Sequence, residues 1–149
     1  MAQYILAVPN FSDGKNKDVI EAVVDQVRNV EGVKLLDYHP DPDFNRTVVT
    51  VIGKPAELKE ALLKMAGKSI ELIDMEKQSG SHPRIGAQDT IPIFPLRNIT
   101  LGECIQLAEE IGVEVYKRFN VPVFFTADIE IEGLSSGFKM KQKWSFIFY

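Results

Sequence analysis

The order in which short apolar runs alternate with helical patterns most constrains how this chain can fold. Runs typical of strands cover residues 4–8, 33–38, 46–52, 90–96 and 121–126, and apolar residues recur at helical spacing in three of the segments between them. The resulting order is βαββαβαβ. It predicts an α/β fold of the α+β sandwich type, a ferredoxin-like open sheet with the helices packed on one face.

Capping residues predict where the helices begin and end. Asn16 is suited to cap the first helix, and Pro55 is suited to the first turn of the second. Thr100 and Glu103 have the spacing of a capping box, which predicts the start of a third helix that ends near Asn120.

Prolines predict where the strands are disturbed. Residues 39–43 read His-Pro-Asp-Pro-Asp, which indicates a turn between the second and third strands. Residues 90–96 are apolar but contain Pro92 and Pro95, which cannot donate to a sheet, so this segment is expected to be an irregular or edge strand.

Composition excludes several functional classes. The chain has 149 residues, enough for one domain, and a net charge of −4, which gives no basic surface for nucleic acid. The single Cys104 rules out an internal disulfide and reads as a core residue, and with only two histidines we expect no metal site. No run is long enough to span a membrane, and the start lacks a signal-peptide pattern, so a cytoplasmic location is expected.

The loop over residues 79–89 holds the most reactive side chain. His82 precedes Pro83, which favours an extended backbone, and Gly80 and Gly86 permit close approach of a ligand. An imidazole titrates near neutral pH and can take and return a proton. From spacing alone, two interpretations stay open: an acid/base or binding residue, or a solvated turn residue.

Other polar side chains lie in this loop and in the loop over residues 39–46, and both loops could reach one cleft. Asp41 or Asp43 could orient the histidine, although aspartates in a loop also commonly form turns. Arg46 and Arg84 could bind carboxylates, although surface ion pairs are the commoner use of arginine. Gln88 and Asp89 add an amide and an acceptor to the same set.

The last part of the chain has a different composition. Residues 128–132 are acidic, residues 139–144 are basic, and an aromatic run ends the sequence. We therefore divide the chain into a domain over residues 1–127 and a divergent tail over residues 128–149. The aromatic run could be an added strand, an interface patch or an exposed end, and of these we favour a surface that lacks its partner.

Several separated motifs together resemble the N-terminal subdomain of glutamate formiminotransferase, from about residue 3 to residue 126. They agree with that family in type, order and spacing. They are Val8-Pro9-Asn10-Phe11-Ser12, Asn45-Arg46-Thr47-Val48, Leu72-Ile73-Asp74-Met75, His82-Pro83-Arg84-Ile85-Gly86-Ala87 and Pro92-Ile93-Phe94-Pro95-Leu96-Arg97.

The resemblance implies transfer of a formimino group from N-formimino-L-glutamate to tetrahydrofolate, the co-substrate, during histidine breakdown. The family's catalytic histidine matches His82. Some family members have an acidic residue where this chain has His39, and Asp41 is the nearer substitute for it, so Asp41 is the second catalytic candidate. The resemblance also suggests a set of substrate or folate contacts: Asn10, Asn45, Arg46, Arg84, Gly86 and Gln88.

The family's transferase unit has two similar subdomains with the substrate cleft between them, and this chain resembles only the first. We therefore expect weak or no activity from the chain alone. We also expect a partner, either a second copy of the chain or a separate chain with the second subdomain. The alternative is a non-enzymatic folate-binding or assembly module that pairs through the same surface.

Overall fold

A computed structural model describes residues 1–81, 86–130 and 141–148, and side chains over 1–81 and 86–125. The α-helices in these ranges are α1 (Lys17–Val24), α2 (Pro55–Leu72) and α3 (Leu101–Phe119), with a 3₁₀ turn at Asp25–Val27. The strands there are β1 (Tyr4–Ala7), β2 (Asn10–Phe11), β3 (Val33–Asp41), β4 (Arg46–Gly53), β5 (Gln88–Thr90), β6 (Ile93–Arg97), β7 (Val123–Glu130) and β8 (Lys141–Phe148).

The strands form one antiparallel sheet. The strands β1 and β2 together pair with β4 on one side, while β1 pairs with β6 and β2 with β5 on the other. Beyond these, β3 lies outside β4, and β8 joins β5 and β6 to β7. The predicted ferredoxin-like α+β sheet with helices packed on it is confirmed, and the described ranges contain two strands that were not predicted, β2 and β8.

The predicted helix ends are confirmed by their hydrogen bonds. Asn16 accepts from the backbone of Asp18 and Val19 at the start of α1, and Pro55 occupies the first turn of α2. Thr100 and Glu103 form the reciprocal capping box of α3, and Asn120 ends it in the left-handed conformation. Each local cap of this kind stabilises a helix by about 1 kcal/mol.

The core lies between the sheet and the helices. Alternate residues of β4 point into it, and α2 contributes the largest share of fully buried side chains. Burying one such aliphatic side chain stabilises the fold by about 1.5–3 kcal/mol. The main contributors are Ile5, Phe11, Val49, Val51, Leu58, Leu62, Leu63, Met65, Ile91, Ile93 and Ile111.

Prolines interrupt two neighbouring strands at the same level. Pro9 separates β1 from β2, and Pro92 separates β5 from β6. Backbone bonds cross the break, because Val8 donates to the Pro92 carbonyl at 3.0 Å and Val49 donates to the Pro9 carbonyl at 2.9 Å. The expected irregular or edge strand is thus irregular and is not at an edge, since β8 pairs on its other side.

The hairpin between β3 and β4 is tighter than the sequence predicts. The expected turn over residues 39–43 instead contributes its first three residues to β3, and the chain reverses over residues 42–45. Asn45 adopts a left-handed conformation with φ of 52°. Asparagine tolerates this conformation better than most residues, which explains why the hairpin closes there.

Part of the predicted tail is an added strand. The backbone of β8 pairs along the full length of β7, and β7 itself crosses the proposed boundary after residue 127. The division into a domain and a tail stays a prediction, and residues 131–140 and 149 lie outside the described part. None of the helices in the described ranges has the length and apolar character needed to span a membrane.

Candidate functional site

Three loops meet at the end of the sheet where β2 ends and where β4 and β5 begin. They are the loop over residues 12–16, the turn over residues 42–45, and the segment after α2 up to Ser81 and again from Gly86. We call them the loop cluster. The sequence predicts that two of them, the loops over residues 39–46 and 79–89, come close together, and at the described ends the amide and hydroxyl of Ser81 both donate to the Asp43 carbonyl at 3.2 Å.

The two ends of the segment that contains His82 are therefore anchored to different strands. While Ser81 is bonded to the β3–β4 turn, Gly86 accepts a 2.7 Å hydrogen bond from the buried hydroxyl of Ser12, which follows β2. The Ser12 amide also donates to the Ala87 carbonyl at 2.8 Å. His82 and Arg84 themselves lie outside the described residues, so their predicted roles stay predictions.

Asn45 connects all three loops. Its side chain is 2% exposed, and its Oδ1 accepts from the Gly14 amide at 2.9 Å. Its Nδ2 donates to the Gln78 side chain and to the Ser79 carbonyl, the latter at 3.0 Å. The predicted substrate contact of Asn45 is untested, but the bonds that the structure shows are internal to the loop cluster.

Asp13 is a buried carboxylate in the same cluster. It is 3% exposed, and its Oδ1 accepts from the amides of Lys15 and Asn16 at 2.9 Å, which shapes the entry to α1. Its Oδ2 lies 3.5 Å from the Gln78 amide nitrogen, and its carbonyl accepts from the Thr47 hydroxyl at 2.6 Å. The buried Asp13 side chain therefore has its hydrogen-bond donors within the loop cluster.

Gly14 allows the loop over residues 12–16 to lie directly against the hairpin. A Cβ at this position would fall 2.7 Å from the Arg46 carbonyl oxygen and would collide with the Asp41 carbonyl as well. Both obstacles are backbone atoms that cannot rotate away. The close approach of the two loops therefore requires glycine here.

Asp41 and Arg46 flank the turn of the hairpin. The Asp41 Oδ1 accepts from the amides of Asp43 and Phe44, each at 3.0 Å, so this side chain closes the turn. The guanidinium of Arg46 lies 5.2 Å from the centre of the Phe44 ring, a cation–π distance. The structure thus gives Asp41 a turn-forming role, and its predicted catalytic role stays a prediction.

Asn10 and Gln88 lie side by side at the base of the cluster. The Gln88 side chain is 0% exposed, donates to the carbonyls of Asn10 at 2.9 Å and Thr90 at 3.3 Å, and accepts from the Ser69 hydroxyl at 3.0 Å. Asn10 is partly buried, and its side chain donates to the Val8 carbonyl at 3.0 Å. Gln88 therefore joins β2, β5 and α2, while its predicted ligand contact is untested.

Other candidate chemistry is limited in the described residues. Within them, no three His, Cys, Asp or Glu side chains come together in a way that could hold a metal ion. Cys104 is 1% exposed, and burial raises the pKa of its thiol to about 11. The reading of Cys104 as a core residue is confirmed by this burial, and a thiol with so high a pKa is a poor nucleophile at neutral pH.

Comparison with known proteins identifies the family. Residues 4–136 match the formiminotransferase domain, N-terminal subdomain. The chain belongs to the formiminotransferase family. It is 41% identical over 124 residues to the formimidoyltransferase-cyclodeaminase of Sus scrofa, covering 83% of this chain and 23% of that protein. It is 36% identical over 128 residues to the glutamate formimidoyltransferase of Streptococcus pyogenes serotype M1, covering 86% and 43%.

This chain of the formiminotransferase family spans less than half the length of the curated relatives it matches, including the Thermoplasma acidophilum glutamate formimidoyltransferase, of which it covers 40%. Sequence reasoning missed four members of the loop cluster, Ser12, Asp13, Gln78 and Ser81. The Asp13-Gly14 pair is a turn signal that marks one of them. The others carry no local signal, because their partners lie on distant parts of the chain.

Proposed function

We propose that this chain is the first half of a glutamate formiminotransferase, which transfers a formimino group from N-formimino-L-glutamate to tetrahydrofolate. The observation that carries the proposal is the family match over residues 4–136, which includes the motif around His82. The names of the curated relatives support the reaction type. A cytoplasmic enzyme of histidine degradation and one-carbon metabolism fits this assignment.

His82 is the proposed acid/base residue. Attack of the folate N5 on the formimino carbon gives a tetrahedral intermediate, which must lose the proton on N5 and deliver a proton to the departing glutamate nitrogen. One imidazole can accept the first proton and donate the second. The family match around His82 supports this role, and the described residues on either side, Ser81 and Gly86, are bonded to the Asp43 carbonyl and to the Ser12 hydroxyl.

Two arginines, one asparagine and one glycine are the proposed substrate contacts. Both substrates carry carboxylates, and a guanidinium binds a carboxylate through two parallel hydrogen bonds. Arg46 and Arg84 are proposed for this task, Asn10 for a polar group of either substrate, and Gly86 for close approach to it. We further propose that the rest of the cleft comes from a second subdomain.

The test is formation of 5-formiminotetrahydrofolate by the chain with a supplied second subdomain. We expect His82→Ala to lower the rate by about 10²–10⁴-fold with an unchanged circular dichroism spectrum. The matched control is His39→Ala. His39 is exposed on β3, and its Nε2 lies 2.6 Å from an Asp37 carboxylate oxygen, so its loss should change the rate little.

The outcomes separate three possibilities. Activity that survives His82→Ala contradicts the catalytic assignment. If the complemented wild type neither binds folate nor transfers the group, the transferase proposal fails and the alternative, an assembly module, is favoured. Folate binding without transfer, with wild type and every second subdomain tried, would indicate a folate-binding module.

A further inference from the structure

We infer that Asn45 is a positioning residue that fixes the chain leading into His82. The effect of Asn45 on catalysis rests on the proposed function, whereas its positioning of residues 79–81 can be tested without measuring activity. It goes beyond the sequence-based expectation, in which Asn45 contacts a substrate. The amide of Asn45 is bonded to Gly14, Gln78 and Ser79.

Each polar atom of the Asn45 amide is bonded to a different loop or segment of the cluster. The oxygen accepts from Gly14, 31 residues away, while the nitrogen donates to Gln78 and Ser79, 33 and 34 residues away. Two residues beyond Ser79, the Ser81 amide reaches the Asp43 carbonyl in the same hairpin as Asn45. The hairpin therefore holds residues 79–81 at two points immediately before His82.

Burial argues that this role is separate from substrate contact. Only 2% of Asn45 is exposed, and both kinds of amide atom already have partners inside the chain. A substrate group would have to displace one of these bonds, leaving a buried polar atom unpaired. A side chain that is buried and bonded in this way affects a reaction by fixing the positions of neighbouring residues.

The left-handed backbone at Asn45 restricts which substitutions give a clear result. Asn45→Asp has nearly the same shape, tolerates φ of 52°, and keeps an oxygen for the Gly14 amide, but it removes both N–H donors. Asn45→Gly keeps the backbone conformation, adds no charge and removes all three bonds. Asn29→Asp is the matched control, because Asn29 is also left-handed, with φ of 56°, and is exposed.

The first experiment is amide hydrogen exchange of the uncomplexed chain, read residue by residue by NMR. In Asn45→Asp, exchange of the Ser81 amide should accelerate about tenfold, the size expected for losing one hydrogen bond, while the Gly14 amide stays protected. In Asn45→Gly, both amides should exchange faster. Asn29→Asp should change neither, and a general loss of stability would instead accelerate both amides in Asn45→Asp.

The second experiment is kinetic and uses the chain with its second subdomain. Because a displacement of about 1 Å can cost about 10²-fold in rate, kcat should fall by about that factor in both Asn45 variants, with KM within about threefold of wild type. A direct substrate contact would raise KM and leave kcat nearly unchanged. That result would overturn the inference.

The two experiments separate failure of the inference from failure of the proposed function. If wild type shows no transfer, the proposed function fails, and the exchange data alone decide whether Asn45 positions residues 79–81. If the Ser81 amide exchanges at the wild-type rate in both Asn45 variants, the inference is wrong whatever the activity. If Asn45→Asp does not fold, the Asn45→Gly data decide the same question through the same amide.

Discussion

Replacing Gln88 by methionine tests whether the base of the loop cluster is held by a buried amide. Methionine keeps the length of the side chain and roughly its volume, but it can neither donate to the carbonyls of Asn10 and Thr90 nor accept from Ser69 as the amide does. Since Gln88 is fully buried, water cannot replace these bonds without opening the structure.

The expected cost is worked out bond by bond. A buried group left without its partner costs about 1–3 kcal/mol, and the low end applies to the two carbonyls because each has a second lone pair. The Ser69 hydroxyl can turn to a carbonyl of its own helix, so its loss adds less than about 1 kcal/mol. The total is about 2–3 kcal/mol, a large part of the roughly 5–15 kcal/mol that stabilises a domain.

The assay is urea unfolding of wild type, Gln88→Met, Ser69→Ala and the double variant. Ser69→Ala alone should cost about 1 kcal/mol, and the double variant should cost less than the sum by a similar amount, because both changes remove one shared bond. Gln26→Met is the matched control: Gln26 is partly exposed and makes one local bond, to Ala22, so it should cost well under 1 kcal/mol. A cost for Gln88→Met no larger than that of Gln26→Met would refute the reasoning.

Two further predictions concern the hairpin and the acid stability of the chain. Gly14→Ala should lower the free energy of unfolding by about 1–3 kcal/mol, because its Cβ would meet fixed backbone atoms. In the control Gly102→Ala, the Cβ would meet only the Thr100 hydroxyl at 3.9 Å, so the free energy of unfolding should rise by up to about 1 kcal/mol. Equal effects of the two substitutions would contradict this prediction. The hydrogen bond from Tyr38 and the Arg28 guanidinium lower the pKa of Glu21 from its ordinary value, so their stabilisation is present above that ordinary value and is lost as the pH falls through the lowered pKa. Tyr38→Phe should therefore flatten the fall of the urea midpoint in the acid range relative to the exposed control Tyr116→Phe, and parallel pH curves would refute it.

The helices were predictable because their determinants are local. The Thr100 and Glu103 side chains bond backbone groups within three residues, and Asn16 acts over the same distance. The positions of these residues along the chain are therefore enough to predict where the helices begin. The disturbance at Pro92 was predictable for the same reason, since a missing N–H needs no partner to be recognised.

Features that depend on distant residues were not predictable from these patterns. The end of β3 was placed too early because Pro40 and Asp41 resemble a turn, yet they pair with Thr47 and Arg46 across the hairpin. The sequence left open whether residues 90–96 form an irregular or an edge strand, and pairing with β8 excludes the edge. The roles of Ser12 and Gln78 depend on partners that no local pattern identifies, 74 residues away for Ser12 and 33 and 65 residues away for Gln78.

Sheet topology explains why these distant residues meet. The antiparallel strands β4 and β5 flank β2, so the end of β2 and the starts of β4 and β5 must lie at the same end of the sheet. Ser12, Asn45 and Gly86 stand within two residues of those three points and are the residues that bond the loops together. The strand order therefore brings the loops into one place, and buried polar side chains then set the spacing between them.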